Sequence, residues 1–278
     1  MGRVSSGTFD EAISAWRQWQ DAPWGRLRYA IAAANLARHL DEALPGGTPG
    51  RILDVAGGNG VEAIRLATAG HRVTLVDYSA QMLAAARELA RKAGVSDRVT
   101  IVESDVAKLA EQVDIGVHDV VLCHNLLPYV SDVSGTLQIC LDALRPGGLL
   151  SIICGNAHSE PLRVAVREQD PSAALEALGS RVRVTKTFGT PMVPRTADEV
   201  AQHLTDLGAH VAGHYGIRSV CDYMADDERK YDASFYAELE RLEIALSDRM
   251  PYKLTARLFH LIAVKPEDNS VAPQGEAA

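Results

Sequence analysis

Residues 51–60 read RILDVAGGNG, and this stretch decides the fold because it joins an apolar run to a glycine-rich turn. The run from 51 to 55 predicts a buried strand, and the spacing of apolar residues from 61 to 69 predicts a helix. Gly57, Gly58 and Gly60 allow a tight turn between the two and let a ligand approach the backbone. The stretch therefore predicts a nucleotide-binding turn.

Two kinds of nucleotide fit such a turn. Residues 58–63, GNGVEA, match the dinucleotide fingerprint, and Asp77 follows the second strand, where a carboxylate accepts from a ribose hydroxyl. A pyrophosphate beside Asp54 would suffer repulsion between like charges, whereas S-adenosylmethionine has no phosphate and carries a sulfonium and an ammonium. Asp54 therefore favours the methyl donor over NAD, and a turn-capping role for Asp54 agrees with either ligand.

Strands and helices alternate along the middle of the chain. The predicted strands are 51–55, 72–76, 98–103, 118–123, 148–154, 210–220 and 257–264. The helices predicted between them are 61–69, 79–93 and 132–144, with later ones at 196–207 and 226–246. This order predicts an α/β fold with a doubly wound, mostly parallel, seven-stranded, Rossmann-like sheet. Ligands of such sheets bind beyond the carboxyl ends of the strands, where the glycine turn, Asp77, Asp105 and His124 all fall.

The flanking segments suggest further parts. Residues 1–49 predict two helices, 9–20 and 27–44, interrupted at 22–25 and expected to contribute to the site. Residues 50–265 are expected to form the main domain, in which about 156–195 lack a clear period and predict a helical cap over the site. Residues 266–278, rich in Pro, Gly, Glu and Ala, predict a disordered tail.

Composition limits the classes of function. The 278 residues carry a formal charge of −8, so no overall field attracts nucleic acid or an anionic membrane. No apolar run reaches membrane-spanning length and the first residues lack a signal-peptide pattern, which predicts a cytoplasmic protein. Cys123, Cys140, Cys154 and Cys221 form no CxxC pair and predict buried, reduced thiols, so no metal site is expected.

The combination of motifs over about residues 50–154 resembles the class I S-adenosylmethionine-dependent methyltransferases. The supporting segments are the turn at 54–60, the strand end at Asp77, the pair Ser104-Asp105 and LRPGGL at 144–149. In that family a glycine usually stands where this chain has Ala56. The added methyl group bears on how closely the methionine part of the donor approaches the turn.

The rest of the chain resembles one branch of that family, the carboxyl methyltransferases that esterify carboxymethoxyuridine at the tRNA wobble position. The supporting segments are WGRLR at 24–28, DYSAQM at 77–82, CHN at 123–125, GNAH at 155–158, VPR at 193–195, GIR at 216–218, DY at 222–223 and MPY at 250–252. By length this resemblance covers nearly the whole chain, including the cap.

The resemblance implies S-adenosylmethionine as the cofactor and assigns residues to it. Arg28 would pair with the methionine carboxylate, Asp77 would hold the ribose hydroxyls, and His124 would close the pocket. The expected cofactor-binding set is Arg28, Asp54, Ala56, Gly57, Gly58, Gly60, Asp77, Tyr78, Met82, Ser104, Asp105 and His124. Taken singly, Arg28 also fits a surface helix charge, His124 a structural histidine and Asp105 a helix cap.

The acceptor side is less defined by the sequence. Methyl transfer from a sulfonium is a direct displacement, and a carboxylate acceptor is already ionised at neutral pH and needs no general base. A hydroxyl or amine acceptor would favour a poised His or Asp, and no such motif stands out. The candidate catalytic positioners are Tyr129, His158, Arg195, Arg218 and Tyr223. Each of them also fits ordinary packing.

The identity of the acceptor stays open between tRNA and a small molecule. A tRNA enzyme should present Lys or Arg along its approach surface, and the candidates are Arg163, Arg167 and the run RVRVTK at 181–186. That run also fits an edge strand, and the acidic chain favours a small acid or alcohol. The sequence thus predicts methyl transfer to an acceptor oxygen, and a carboxylate is the first candidate for that acceptor. A small-molecule O-methyltransferase and an NAD-dependent oxidoreductase are the alternatives.

Overall fold

A computed structural model describes residues 13–180, 182–184 and 189–267. The helices are α1 (Ile13–Asp21), α2 (Pro23–Ala43), α3 (Val61–Thr68), α4 (Ala80–Ala93), α5 (Leu109–Gln112), α6 (Val133–Ala143), α7 (Ser159–Arg163), α8 (Pro171–Gly179), α9 (Ala197–Asp206), α10 (Ala233–Leu246) and α11 (Tyr252–Thr255). The strands are β1 (Arg51–Val55), β2 (Arg72–Asp77), β3 (Val99–Glu103), β4 (His118–His124), β5 (Leu144–Gly155), β6 (Arg183–Val184), β7 (Pro191–Met192), β8 (His210–Ile217) and β9 (Leu258–Val264). Short 3₁₀ helices cover Pro45–Gly47, Val106–Lys108, Leu127–Tyr129, Cys221–Tyr223 and Glu228–Tyr231, and a π-helix covers Val164–Glu168.

Seven strands form one sheet in the order β3-β2-β1-β4-β5-β9-β8. The first five of these pair in parallel, and β9 runs antiparallel between β5 and β8. The strand order reverses between β1 and β4, so the carboxyl ends of these strands open the crevice where such sheets bind ligands. The predicted doubly wound, mostly parallel sheet of seven strands is confirmed.

Both faces of the sheet are buried, which explains why its strands are nearly continuous apolar runs. On β1, Leu53 joins a core cluster with residues of α6 and α9, while Ile52 joins a second cluster with residues of α3 and α4. A third cluster places Leu27 and Ile31 of α2 against Ile153 of β5. Helix α2 therefore packs near the carboxyl end of β5.

Several predicted boundaries differ from the observed ones. Strand β5 begins at Leu144 rather than 148, and three further differences have a local cause. Helix α2 begins at Pro23 rather than 27, because proline suits the first helical position, so the break after α1 is the single residue Ala22. Strand β8 ends at Ile217, where Arg218 takes a φ of 61° in the left-handed region. Helix α10 begins later than predicted, because the Asp232 side chain accepts from a backbone N–H and caps it there.

The segment predicted as a cap is helical only in its first part. Helices α7 and α8 are joined by the π-helix, and strands β6 and β7 then form an antiparallel pair. The predicted tail lies outside the described residues from 268 onward. Within the described residues, no helix is long and apolar enough to cross a membrane.

Candidate active site

A cavity of about 850 Å³ opens at the carboxyl ends of the central strands. We call the part lined by α2, the glycine turn and the ends of β2 and β4 the turn half. We call the part lined by the cap, residues 218–230 and Arg257 the cap half. Both halves lie at the strand-order reversal, where the topology predicts a ligand site.

The glycine turn has no room for side chains at two of its positions. A Cβ on Gly57 would stand 2.6 Å from Oδ2 of Asp54, and one on Gly60 would stand 2.8 Å from Leu75. Gly60 also has a φ of 77°, which favours glycine. Ala56, at the start of the turn, has a φ of 56° despite its methyl group. This positive φ gives a physical reason for the glycine that related enzymes have there.

Asp77 connects the glycine turn to the next helix. Its Oδ2 accepts from the backbone N–H of Gly58 at 2.8 Å, and its Oδ1 accepts from that of Ser79 at 2.9 Å. The carboxylate also lines the turn half of the cavity. A carboxylate oxygen accepts more than one hydrogen bond, so Asp77 holds the turn and presents acceptors to a ligand with one group.

A buried ion pair forms the floor of the turn half. Nη1 of Arg28 and Nδ1 of His124 each lie 2.8 Å from Oε2 of Glu62. Burial would raise the pKa of Glu62, but the charge of Arg28 and the hydrogen bond from His124 hold it well below its usual range. Burial and the charge of Glu62 raise the pKa of the neighbouring Asp54. The turn half thus surrounds one arginine with several carboxyl groups.

Helix α1 brings aromatic rings to the cavity wall. Trp16 and Trp19 stack with their centroids 4.8 Å apart, and the guanidinium of Arg218 lies 5.5 Å from the Trp19 ring. The amides of Gln20 and Asn59 exchange two hydrogen bonds, at 3.0 and 2.7 Å. Because Asn59 belongs to the glycine turn, these two hydrogen bonds hold α1 against that turn.

In the cap half, three arginines converge on one carboxylate. Oε1 of Glu160 lies 2.7 Å from Nη2 of Arg163, and Oε2 lies 3.7 Å from Nη1 of Arg183. Oε2 also forms a short ion pair with Nη1 of Arg257. Burial alone would raise the pKa of Glu160, but hydrogen bonds from Arg163 and the charge of Arg257 lower it to about 2. The carboxylate therefore stays ionised and offsets only part of the positive charge around it.

A second group of ion pairs continues this wall. Arg218 lies 3.0 Å from Asp222, and Lys230 lies 2.7 Å from Asp227, which also pairs with Arg167. Among the described lining residues of the cap half, six cations face four carboxylates. The cations are Arg163, Arg167, Arg183, Arg218, Lys230 and Arg257. The carboxylates are those of Glu160, Glu176, Asp222 and Asp227. The cap half is thus positive, whereas the turn half is negative.

The structure brings most of the expected cofactor residues to one surface. Those lining the turn half are Arg28, Asp54, Ala56, Gly57, Gly58, Asp77, Tyr78, Met82 and His124. Gly60 packs inward on the sheet instead. Ser104 and Asp105 lie outside the lining: Oδ1 of Asp105 accepts from the backbone N–H of Ala107, and the Ser104 hydroxyl donates to the Asp105 carbonyl. Asp105 therefore caps the following 3₁₀ helix, as its alternative role predicts.

The candidate acceptor residues divide in the same way. Tyr129 and Arg218 line the cavity. His158 is exposed, Nη2 of Arg195 donates to the Val130 carbonyl, and the Tyr223 hydroxyl donates to the Thr255 carbonyl; these three stand outside the lining. The arginines predicted for a tRNA-facing surface, Arg163, Arg167 and Arg183, instead line the cavity. Arg181 and Lys186 lie outside the described residues.

Several lining residues escape the sequence argument. Glu62 appears there only as a letter of the fingerprint, because an acidic residue in the first turn of a helix is ordinary. Its partner Arg28 is 34 positions away, so only the fold reveals the pair. Further lining residues that the sequence argument does not single out include Trp16, Trp19, Tyr29, Glu160, Asp227, Lys230 and Arg257. No sequence motif marks them, since their grouping depends on tertiary structure.

Cys221 lines the cap half of the cavity, and the other three cysteines lie outside the lining. All four are buried and free, which confirms the prediction of buried, reduced thiols. Burial raises the pKa of Cys154 to about 12, so its thiol stays protonated. Among the described residues, no group of three or more His, Cys, Asp or Glu side chains is placed to hold a metal ion.

Comparison with known proteins gives matches over the same region and beyond it. The methyltransferase domain family matches residues 52–148. The tRNA 5-carboxymethoxyuridine methyltransferase of Escherichia coli K12 is 33% identical over 243 residues, covering 87% of this chain and 90% of its own. The ubiquinone biosynthesis O-methyltransferase of Cronobacter sakazakii is 34% identical over 116 residues, 42% of this chain and 46% of its own. A crystal structure of a putative S-adenosylmethionine-dependent methyltransferase from Listeria monocytogenes superposes with a TM-score of 0.55 at 20% identity, covering 85% of this chain and 98% of that one.

Proposed function

The chain belongs to the class I S-adenosylmethionine-dependent methyltransferases, in the family of the tRNA 5-carboxymethoxyuridine methyltransferases, and from this premise we propose that it methylates a carboxylate. It is a methyltransferase that uses S-adenosylmethionine. Membership in this family ends the NAD alternative.

The turn half has the charges and hydrogen-bonding groups that the donor needs. S-adenosylmethionine supplies a methyl group made electrophilic by its sulfonium. Nε of Arg28 is buried beside the cavity and has no hydrogen-bond partner among the described residues, which suits the donor's carboxylate. Asp77 is placed to accept from the ribose hydroxyls, and the negative charge of the turn half suits the ammonium and the sulfonium.

The observation that carries the carboxylate assignment is the convergence of three arginines on Glu160. One carboxylate cannot neutralise Arg163, Arg183 and Arg257 together, although Glu168 adds a further partner for Arg163 at 2.8 Å. An anionic group of the acceptor in the cap half would complete this charge balance. Guanidinium forks bind carboxylates in a fixed plane, so the same arginines would orient the attacking oxygen.

The described lining of the cavity holds no free imidazole that could act as a general base. Among its described lining residues His124 is the only histidine, and its two ring nitrogens face Glu62 and Ser151 at 2.8 Å each. A carboxylate acceptor is ionised at neutral pH and needs no base. Rate enhancement would then come from holding the acceptor oxygen in line with the methyl group. Tyr129 and Arg218 remain candidates for this positioning.

We propose tRNA carrying 5-carboxymethoxyuridine as the acceptor. The supporting observation is the similarity to the E. coli enzyme of that name, which extends over 87% of this chain and therefore includes the cap. A free small-molecule acid is the second candidate. It is favoured by the position of Arg163, Arg167 and Arg183, which pair with carboxylates at the cavity wall rather than standing free for phosphates.

The test uses purified enzyme and S-adenosylmethionine labelled in its methyl group. One arm contains tRNA from cells that make carboxymethoxyuridine, and the other contains small acids extracted from the host. We expect label in the tRNA that mild alkali releases as methanol, as a methyl ester requires. Label that resists alkali would refute the carboxylate proposal. Alkali-labile label confined to the small-acid arm would select the second candidate.

A further inference from the structure

A row of buried polar side chains continues from the turn half into the sheet. His124 of β4, Ile153 of β5 and His260 of β9 are register partners and share one face. Ser151 points to the same face, since it lies two residues before Ile153. Its Oγ lies 2.8 Å from Nε2 of His124 and 2.8 Å from Nε2 of His260. Ser151 and His260 are both fully buried and outside the cavity lining.

The direction of every hydrogen bond in this row follows from the carboxylate at its end. Glu62 is ionised, so Nδ1 of His124 must carry a proton and donate to it. In neutral His124, Nε2 is then an acceptor, and the Ser151 hydroxyl must donate to it. The remaining lone pairs of Ser151 accept from Nε2–H of His260. This leaves Nδ1 of His260 as an acceptor without a hydrogen-bond partner among the described residues.

The opposite order of donors is less favourable. A protonated His124 would donate to Ser151, which would donate to His260 and leave a buried Nδ1–H of His260 without an acceptor. Unpaired buried N–H groups are rarer in proteins than acceptors with unused lone pairs. Burial also lowers the pKa values of both His124 and His260, which disfavours the charged form. The row therefore has one preferred arrangement of protons.

We propose that Ser151 and His260 are positioning residues for donor binding, because their hydrogen bonds hold the His124 ring in the orientation in which Nδ1–H donates to Glu62. Glu62 in turn holds Arg28, 2.8 Å away, against the turn half of the cavity. If Ser151 is lost, Nε2 of His124 becomes a buried acceptor without a donor, and the ring is no longer held in this orientation. The hydrogen bond from His124 to Glu62 then weakens, and the Glu62 carboxylate holds the Arg28 side chain less firmly. The inference rests on the proposed contact of Arg28 with the donor.

The first measurement is the nitrogen NMR spectrum of the wild-type protein labelled in its histidines. We expect His124 to show one protonated nitrogen, Nδ1, and one unprotonated nitrogen, Nε2. In Ser151→Ala we expect Nδ1 to stay protonated and the resonance of the unprotonated Nε2 to shift, because Nε2 loses its hydrogen-bond donor. A wild-type His124 protonated at Nε2, or at both nitrogens, would overturn the proposal without any variant.

The second measurement is the affinity for S-adenosylhomocysteine by calorimetry. We expect Ser151→Ala to weaken binding about tenfold, the effect of losing one buried hydrogen bond beside a charged pair. His260→Phe should weaken binding less than Ser151→Ala does, because Ser151 can still donate to His124. His260→Gln should bind as the wild type does, because its side-chain N–H can replace that of His260. Ser247→Ala is the matched control: its buried hydroxyl donates to the Ile244 carbonyl at 2.9 Å, away from the cavity.

The outcomes separate this proposal from the one before it. Folded Ser151→Ala protein with wild-type affinity, or with an unshifted Nε2 resonance of His124, would refute the positioning role. An equal loss of affinity in Ser247→Ala would assign the effect to general destabilisation and also refute it. If Arg28→Ala binds S-adenosylhomocysteine as wild type does, the donor contact fails. The histidine spectrum would still test the proton arrangement.

Discussion

The two halves of the cavity are built in different ways. The turn half is held largely by backbone: Asp77 accepts from two main-chain N–H groups, and Gly57 and Gly60 have no room for a side chain. The cap half is held by side chains from distant positions, such as Glu160 with Arg257 and Arg167 with Asp227. The shape of the turn half therefore depends mainly on backbone geometry, whereas the shape of the cap half depends on each side chain in its ion pairs.

The largest expected effect is on the buried pair of the turn half. We predict that Glu62→Ala lowers the free energy of unfolding by about 3–5 kcal/mol, because it leaves Arg28 buried without a counter-charge. Urea unfolding measures this. Glu88→Ala on α4 is the control, since Glu88 pairs with Arg91 at the surface and should change stability little. Similar losses in both variants would show that the buried pair has no special weight.

The next effect tests whether Asp77 serves the donor as well as the turn. We predict that Asp77→Ala weakens S-adenosylmethionine binding by about 1–3 kcal/mol, since hydrogen bonds to a charged group are lost. Calorimetry measures the affinity. Asp105→Ala is the comparison, because the structure places Asp105 on the Ala107 N–H rather than in the cavity. A larger loss in Asp105→Ala than in Asp77→Ala would return Asp105 to the cofactor-binding set that the family resemblance implies.

The difference between the halves also explains how far the sequence could be interpreted. The turn half follows from local signals: an apolar strand, glycines at fixed spacing, and a carboxylate at the end of the next strand. Those signals predicted the doubly wound, mostly parallel sheet, and they placed Asp77 and His124 at the strand ends, where the structure has them. Asp105 follows a strand as Asp77 does, and its side chain turns instead to its own backbone.

The cap half carries no local signal. Glu160 and its partners Arg183 and Arg257 are separated by up to 97 positions, and charged residues at such spacing look like solvated surface. The sequence argument accordingly placed Arg163 and Arg183 on a tRNA-facing surface, and it placed His158 and Tyr223 at the acceptor. In the structure Arg163 and Arg183 line the cavity, whereas His158 and Tyr223 lie outside its lining. Packing of the cap on residues 218–257 decides which side chains face inward.

In the cap half, removing a cation and removing a carboxylate should change the KM for the acceptor in opposite directions. We predict that Arg183→Gln raises the KM for the acceptor about tenfold, the usual cost of one charged hydrogen bond, and leaves donor affinity unchanged. Glu160→Gln should lower that KM, because removing the carboxylate frees guanidinium groups for the acceptor. Steady-state kinetics with each substrate varied in turn measures both. A rise of KM in both variants would mean that the ion pairs only hold the wall in shape.

The smallest expected effect concerns Ala56, where the backbone cradle departs from its family. The left-handed backbone conformation of Ala56 costs about 1–2 kcal/mol, and a glycine there would remove this cost. Glycine also increases the conformational entropy of the unfolded chain, which offsets part of the stabilisation. We therefore predict that Ala56→Gly raises the free energy of unfolding by up to about 1 kcal/mol, measured by urea unfolding. Ala84→Gly, at an exposed position inside α4, should instead lower it by about 1 kcal/mol. If both variants lose stability, the positive φ of Ala56 carries no strain and the methyl group is part of the packing of the turn.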